Sequence, residues 1–200
     1  MLTIFSLIVL MLSIMIHEIA HGSVAQSLGD PTAKYAGRLT LNPLKHIDLF
    51  GTIFLPLTMM FFTMGQGPVF GWAKPVPVNP YNFRDQKWGE VKVSLAGVVA
   101  NFLIALVFGM IIRFFPLPDF LLSLFSIVVF YNILLGLFNL IPIPPLDGSH
   151  VLFHFIPERF AHFKIVFQQY GMFILIFFIF FGFRFLEPII YGLYNIIVGA

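Results

Sequence analysis

The feature that most constrains this chain is a set of apolar runs too long for a protein of its size to bury. Residues 2–28, 90–113 and 119–141 are each long enough to cross a hydrocarbon core about 30 Å thick, and further candidates lie at 166–183 and 185–199. Hydrophobic residues make up 59% of the 200 positions and charged residues only 10%, too little polar surface to cover a water-soluble globule. The 27 phenylalanines are spread through the runs rather than gathered on one face, which suits helices that meet lipid on several sides. The expected fold class is an all-α polytopic protein of the cell membrane with five to six transmembrane helices.

The absence of cysteine excludes disulfide scaffolds, thiolate metal sites and cysteine nucleophiles. A formal net charge of +2, distributed over the segments between apolar runs, reads as membrane topology and not as a nucleic-acid surface. Residues 2–16 lack the basic start of a signal peptide and run directly into His17, Glu18 and His21, so the segment is expected to be retained. No internal repeat or low-complexity linker marks a second domain. The expectation is one membrane-embedded domain over 1–200, with a core at 1–160 and C-terminal helices within 166–199.

The stretch Thr52 to Met64 is apolar but too short to span, and Pro56 interrupts it. Beyond it, alternating prolines in Val69 to Val78 forbid a helix and predict an extended edge strand. Together 52–78 reads as a short re-entrant helix and β-strand that lines the site, because non-helical backbone at membrane depth needs protein or a water-filled cavity beside it. That reading puts Lys34, Arg38, Lys45, Lys74, Arg84 and Lys87 on one side of the membrane, with Arg159 and Lys164 joining them. By the excess of positive charge, that side is the cytoplasm, and the active site faces it.

Chemistry concentrates in His17-Glu18-Ile19-Ala20-His21, an HExxH string inside an apolar helix. At helical spacing His17 and His21 project from one face, one turn apart, so two imidazoles can share an ion, and Glu18 can reach a water beside that ion. Each ionisable group at mid-membrane costs on the order of 3 kcal/mol, so three together call for a compensating partner such as a metal. Two histidines leave a catalytic zinc short of its usual three protein ligands. Asp147, where the prolines of Asn139 to Gly148 break the end of a spanning run, is the candidate third, against the alternative of an aspartate in a surface turn. His150, close behind it, is a rival ligand.

HExxH near the end of one transmembrane run and Asn139-Leu140-Ile141-Pro142-Ile143-Pro144-Pro145-Leu146-Asp147-Gly148 near the end of a later one resemble the site-2 protease family of intramembrane zinc metalloproteases. The resemblance implies one zinc ion per chain held by His17, His21 and Asp147, with Glu18 activating water and Asn139 positioning substrate or stabilising the oxyanion. Ser94 to Asn101 is similar to the family's SLAGPxxN segment, with Val98 in place of proline; Gly97 and Asn101, one turn apart, are expected to pack helices closely near the site. Gly37 to Pro43 and Lys74 to Asn79 also look like connecting elements of compact members, and nothing resembles a PDZ module. The likeness covers about residues 10–160.

The implied activity is hydrolysis of peptide bonds in or near transmembrane segments of membrane-protein substrates, with the lipid bilayer as the other partner and no nucleic acid. The alternative is a membrane metal or ion transporter built on the same His, Glu and Asp cluster, because intramembrane ionisable groups also mark ion pathways. The paired broken helices of two repeated halves, usual in transporters, are absent from the sequence.

Overall fold

Chain segments whose polar backbone must be satisfied without water fold as helices, and that rule organises this protein. The computed structural model describes residues 2–62, 64 and 73–199, and among these residues every regular element is helical. Helix α1 (Leu2–Ser27) ends where Gly29 takes a positive φ of 107°, a conformation that costs glycine nothing. A single turn, α2 (Thr32–Tyr35), follows. A π-helical stretch, Leu49–Phe54, runs into α3 (Leu55–Phe62). Helices α4 (Gly89–Phe114) and α5 (Asp119–Leu140) form the centre. The chain then turns through residues 141–146 into α6 (Asp147–Phe155), α7 (Ala161–Phe177) and α8 (Glu187–Val198).

Among the described residues, four helical stretches are long and apolar enough to cross a membrane: Leu2–Ser27, Gly89–Phe114, Asp119–Leu140 and Glu158–Phe185. The expected run at 185–199 becomes the shorter apolar helix α8, which starts at Glu187 and has 12 residues, too few for ~30 Å. The 6 and 8 residues of Leu49–Phe54 and α3 reach roughly 20 Å and also fall short. Of the expected edge strand, residues 69–72 lie outside the described residues. Residues 73–79 carry neither helix nor strand, in keeping with their prolines, and among the described residues there is no strand for them to pair with.

Helix α4 packs against α1 and α5, and α1 also touches α5. The C-terminus of α1 and the N-terminus of α4 share one end of this three-helix unit, because the Arg84 N–H donates to the Leu28 carbonyl at 2.7 Å. Away from the site, α4, α5 and α8 close around Ala105, Val129, Ile133, Leu186 and Ile190, all buried. Near it, Ala25 of α1 and Val93 of α4 meet Phe83 in a smaller cluster. Most other large apolar side chains, including Leu7, Leu103, Phe120 and Phe173, are exposed, the pattern of helices whose outer solvent is lipid.

Asp30 ties the connecting segment to the end of α1. One carboxylate oxygen accepts from the Thr32 N–H, the Thr32 hydroxyl and the Asn82 side-chain amide, and the other accepts from the Asn79 N–H at 2.7 Å. Burial alone would push this carboxyl up, but the hydrogen bonds win and hold it below its ordinary value. This clamp fixes the start of the return path to α4 at Asn79 and Asn82.

Candidate metal centre and its cavity

His17 and His21 lie on one face of α1, and both are buried. The Nδ1 of His17 lies 2.7 Å from Asn101 Oδ1, and the Nδ1 of His21 lies 2.7 Å from the Val93 carbonyl. A backbone carbonyl only accepts, so Nδ1 of His21 carries the proton. The Asn101 amide is oriented by its own donors, since Nδ2 gives hydrogen bonds to Asn132 Oδ1 and the Ser13 carbonyl. Its Oδ1 therefore accepts, and Nδ1 of His17 is protonated too. In the neutral rings the two Nε2 atoms are then left with lone pairs and no hydrogen to give, and they face each other at 2.9 Å.

Asp147 completes the arrangement. Its Oδ2 lies 3.0 Å from His17 Nε2 and 3.2 Å from His21 Nε2, yet it is buried with no donor, because neither facing nitrogen has a hydrogen to give. Three lone-pair atoms thus converge where neutral chemistry would drive them apart. Ligands of a tetrahedral zinc at ~2.0–2.1 Å sit about 3.3 Å from one another, close to the observed triangle of 2.9, 3.0 and 3.2 Å. The donor set fits a zinc ion. Among the described residues these three side chains are the one group of His, Cys, Asp and Glu with such convergence.

The helices are shaped around these rings. A Cβ on Gly97 would lie 2.5 Å from His17 Cε1, so the imidazole occupies space that only glycine leaves. A Cβ on Gly148 would meet the Leu140 carbonyl oxygen at 2.2 Å; the missing side chain lets α6 start tight against the end of α5 and puts Asp147 in its first turn. Asn132, fully buried in α5, extends the network by donating to Ser13 Oγ and the Val128 carbonyl. Gly97 and Asn101 both lie on the face of α4 that meets α1, and Asn101 also fixes a histidine ring.

Glu18 faces the extended segment. Its Oε2 accepts from the Val76 N–H at 2.8 Å, and the Val76 side chain seats against the surface left open by Gly22. A cavity of about 340 Å³ opens beside His17, Glu18, His21 and Asp147 and takes in Asn139. The Asn139 Nδ2 already gives one hydrogen bond to the Leu135 carbonyl at 3.0 Å. His150, the rival ligand, turns instead to Glu90, with Nδ1 2.8 Å from Oε1. Sequence reasoning missed Asn132, Ser13 and Glu90. The first two did leave a signal as polar residues inside apolar runs, where each needs a partner.

The chain is similar to several known proteins over much of its length. The family described as Peptidase family M50 matches residues 116–182. "Putative zinc metalloprotease YwhC" of Bacillus subtilis is 36% identical over 181 residues, which covers 86% of this chain and 78% of that protein. "Putative zinc metalloprotease Rip2" of Mycolicibacterium smegmatis is 30% identical over 151 residues, 74% of this chain and 56% of its own length. "Zinc metalloprotease MJ0392" of Methanocaldococcus jannaschii is 31% identical over 78 residues, 39% of this chain and 23% of its own length. No solved structure matches.

Proposed function

Because the chain belongs to peptidase family M50, whose members are zinc metalloproteases, we propose that it is a single membrane-embedded protease domain that cuts peptide bonds in or near transmembrane segments. His17, His21 and Asp147 hold the one zinc ion, Glu18 is the general base, and Asn139 orients the substrate or its oxyanion. The observation that carries this reading is the convergence of three lone-pair atoms, within 4.8 Å of one another, on a membrane-spanning helix and the turn beside it.

The chemistry that zinc supplies there is Lewis acidity, which lowers the pKa of an adjacent water to about 7. Glu18 takes the proton from that water through the oxygen not bound to Val76, while the Val76 N–H holds the carboxylate in place. The water oxygen bonds to the scissile carbonyl carbon, the carbon–nitrogen bond then breaks, and the departing amine takes up the proton. The remaining N–H of Asn139 is free to bond the substrate. The non-helical residues 73–79 line the same cavity through Pro75, Val76 and Val78, which favours a substrate locally unwound from its helix, since a helical peptide bond is shielded by its own hydrogen bonds.

That α1 ends and α4 begins at one end of the three-helix unit supports the re-entrant reading of 52–78, and the excess of lysine and arginine between them favours a metal centre toward the cytoplasm. An ion transporter is the weaker reading, because a base held beside a histidine pair serves hydrolysis and not transport.

The test is Glu18→Gln in the purified, lipid-reconstituted chain, assayed on a transmembrane peptide library alongside zinc analysis. Zinc retained with cleavage abolished is the expected result. Unchanged cleavage would remove Glu18 from its assigned role.

A further inference from the structure

Two titratable side chains of the cavity have no part in the chemistry above. Glu90, in the first turn of α4, and His150, one turn beyond Asp147 in α6, both line it together with the three metal-facing residues and Asn139. The Nδ1 of His150 lies 2.8 Å from Glu90 Oε1. A carboxylate accepts, so Nδ1 is the donor, and the ring is turned with Nε2 as its remaining polar atom. Both side chains keep part of their surface open, 43% for His150 and 54% for Glu90, so this is no buried structural pair. As a stability device an exposed ion pair contributes little.

We propose that His150, held as an imidazolium by Glu90, donates Nε2–H to the negative charge that develops on the scissile carbonyl oxygen, so that it is a further catalytic residue and Glu90 its positioning residue. This rests on the hydrolase reading and deepens it. Three features of the cavity favour it. Asn139 has one N–H left after its bond to Leu135, and an oxyanion site usually offers more than one donor, so there is room for a second. Among the described residues that line the cavity, His150 is the one side chain left that can present a charged N–H. The carboxylate of Glu90 also raises the ring's pKa against the opposing effect of burial. The charged and titratable groups around the pair are Asp147 and His154 on α6, His21 on α1 and Lys164 on α7; the carboxylates favour the cation and the others oppose it.

The experiment compares wild-type, His150→Ala, His150→Gln, Glu90→Gln and Glu18→Gln chains in lipid nanodiscs. The substrate is a transmembrane peptide that the wild-type chain cleaves, and the probe is a phosphinic-acid analogue of that peptide, whose tetrahedral anion mimics the charged intermediate. His150→Ala is expected to keep its zinc and its KM within threefold, and to lose about 10²–10³ in kcat, the usual cost of removing one oxyanion donor. The phosphinic analogue should bind more weakly by a similar factor. His150→Gln, which keeps a neutral N–H, should recover part of the rate, and Glu90→Gln should lower kcat about tenfold. A His150→Ala chain with kcat within threefold of wild type, or with unchanged affinity for the phosphinic analogue, overturns the proposal, as does loss of zinc from that variant. Failure of the hydrolase reading looks different: Glu18→Gln would still cleave, or the zinc-loaded wild-type chain would cleave no peptide.

Discussion

The Nδ1 of His17 and the Oδ1 of Asn101 lie 2.7 Å apart across the α1–α4 interface, with Asn101 fully buried. This contact sets which nitrogen of His17 faces the metal position. Asn101 is itself fixed by Asn132 and Ser13, so a chain of polar groups through three helices determines the tautomer of one ring. Asn101→Leu should therefore keep all three proposed ligands yet bind zinc about 10–100-fold more weakly, as outer-shell losses do. Zinc titration against a chelator measures this, and affinity within a factor of three of wild type would contradict the tautomer argument.

Gly97 and Gly192 give a paired test. Alanine at 97 puts a methyl 2.5 Å from the His17 ring, whereas a Cβ at 192 meets nothing within 4 Å. Gly97→Ala should destabilise the protein by about 1–3 kcal/mol through overpacking and reduce zinc occupancy. Gly192→Ala should leave both unchanged, or stabilise α8 by up to about 1 kcal/mol. Thermal unfolding in detergent with metal analysis checks both, and equal behaviour of the two variants would count against the cradle.

The contrast between those glycines shows how far the sequence could be read. HExxH is legible because covalent spacing alone puts His17 and His21 on one helix face. Asp147 is legible because prolines 142, 144 and 145 end a span just before a carboxylate. Contacts set by tertiary packing are not: the Glu90–His150 pair joins residues 60 apart, and the Val76 N–H meets Glu18 across 58. The edge strand at 69–78 shows the same boundary. Its prolines dictate extended backbone, but strand pairing needs a partner, and the described part has none. The last expected span shortened because Glu187 and Pro188 start a new helix in what hydropathy reads as one apolar run.

Asp30 makes stability depend on acid. Its carboxyl titrates lower in the folded chain than in the unfolded one, so its contribution is fully present above the unfolded value, about 3.9. It is lost as pH falls through the lowered folded value. The wild-type chain should show constant thermal stability from pH 7 to about 5 and a decline below about 4. Asp30→Asn removes the acceptor for either Asn79 or Thr32, so it should be less stable at pH 7 and show a shallower acid decline. Parallel curves for the two chains would assign the acid sensitivity elsewhere.

The Val76 N–H is the donor that holds Glu18, and proline can remove it with little change to the local path. Pro75 and Pro77 already flank the position, and residue 76 lies outside any helix or strand. In Val76→Pro the Glu18 carboxylate loses a charge-assisted hydrogen bond, worth about 1.5–3 kcal/mol, while the zinc-facing atoms of α1 and α6 are untouched. If Val76 orients the base, kcat should fall roughly 10- to 100-fold by the same energy, with zinc content preserved and KM moved much less. If the segment serves only to bind substrate, the loss would appear in KM with kcat intact. Steady-state kinetics on one transmembrane peptide separates the two, because orienting a base and gripping a substrate act on different kinetic constants.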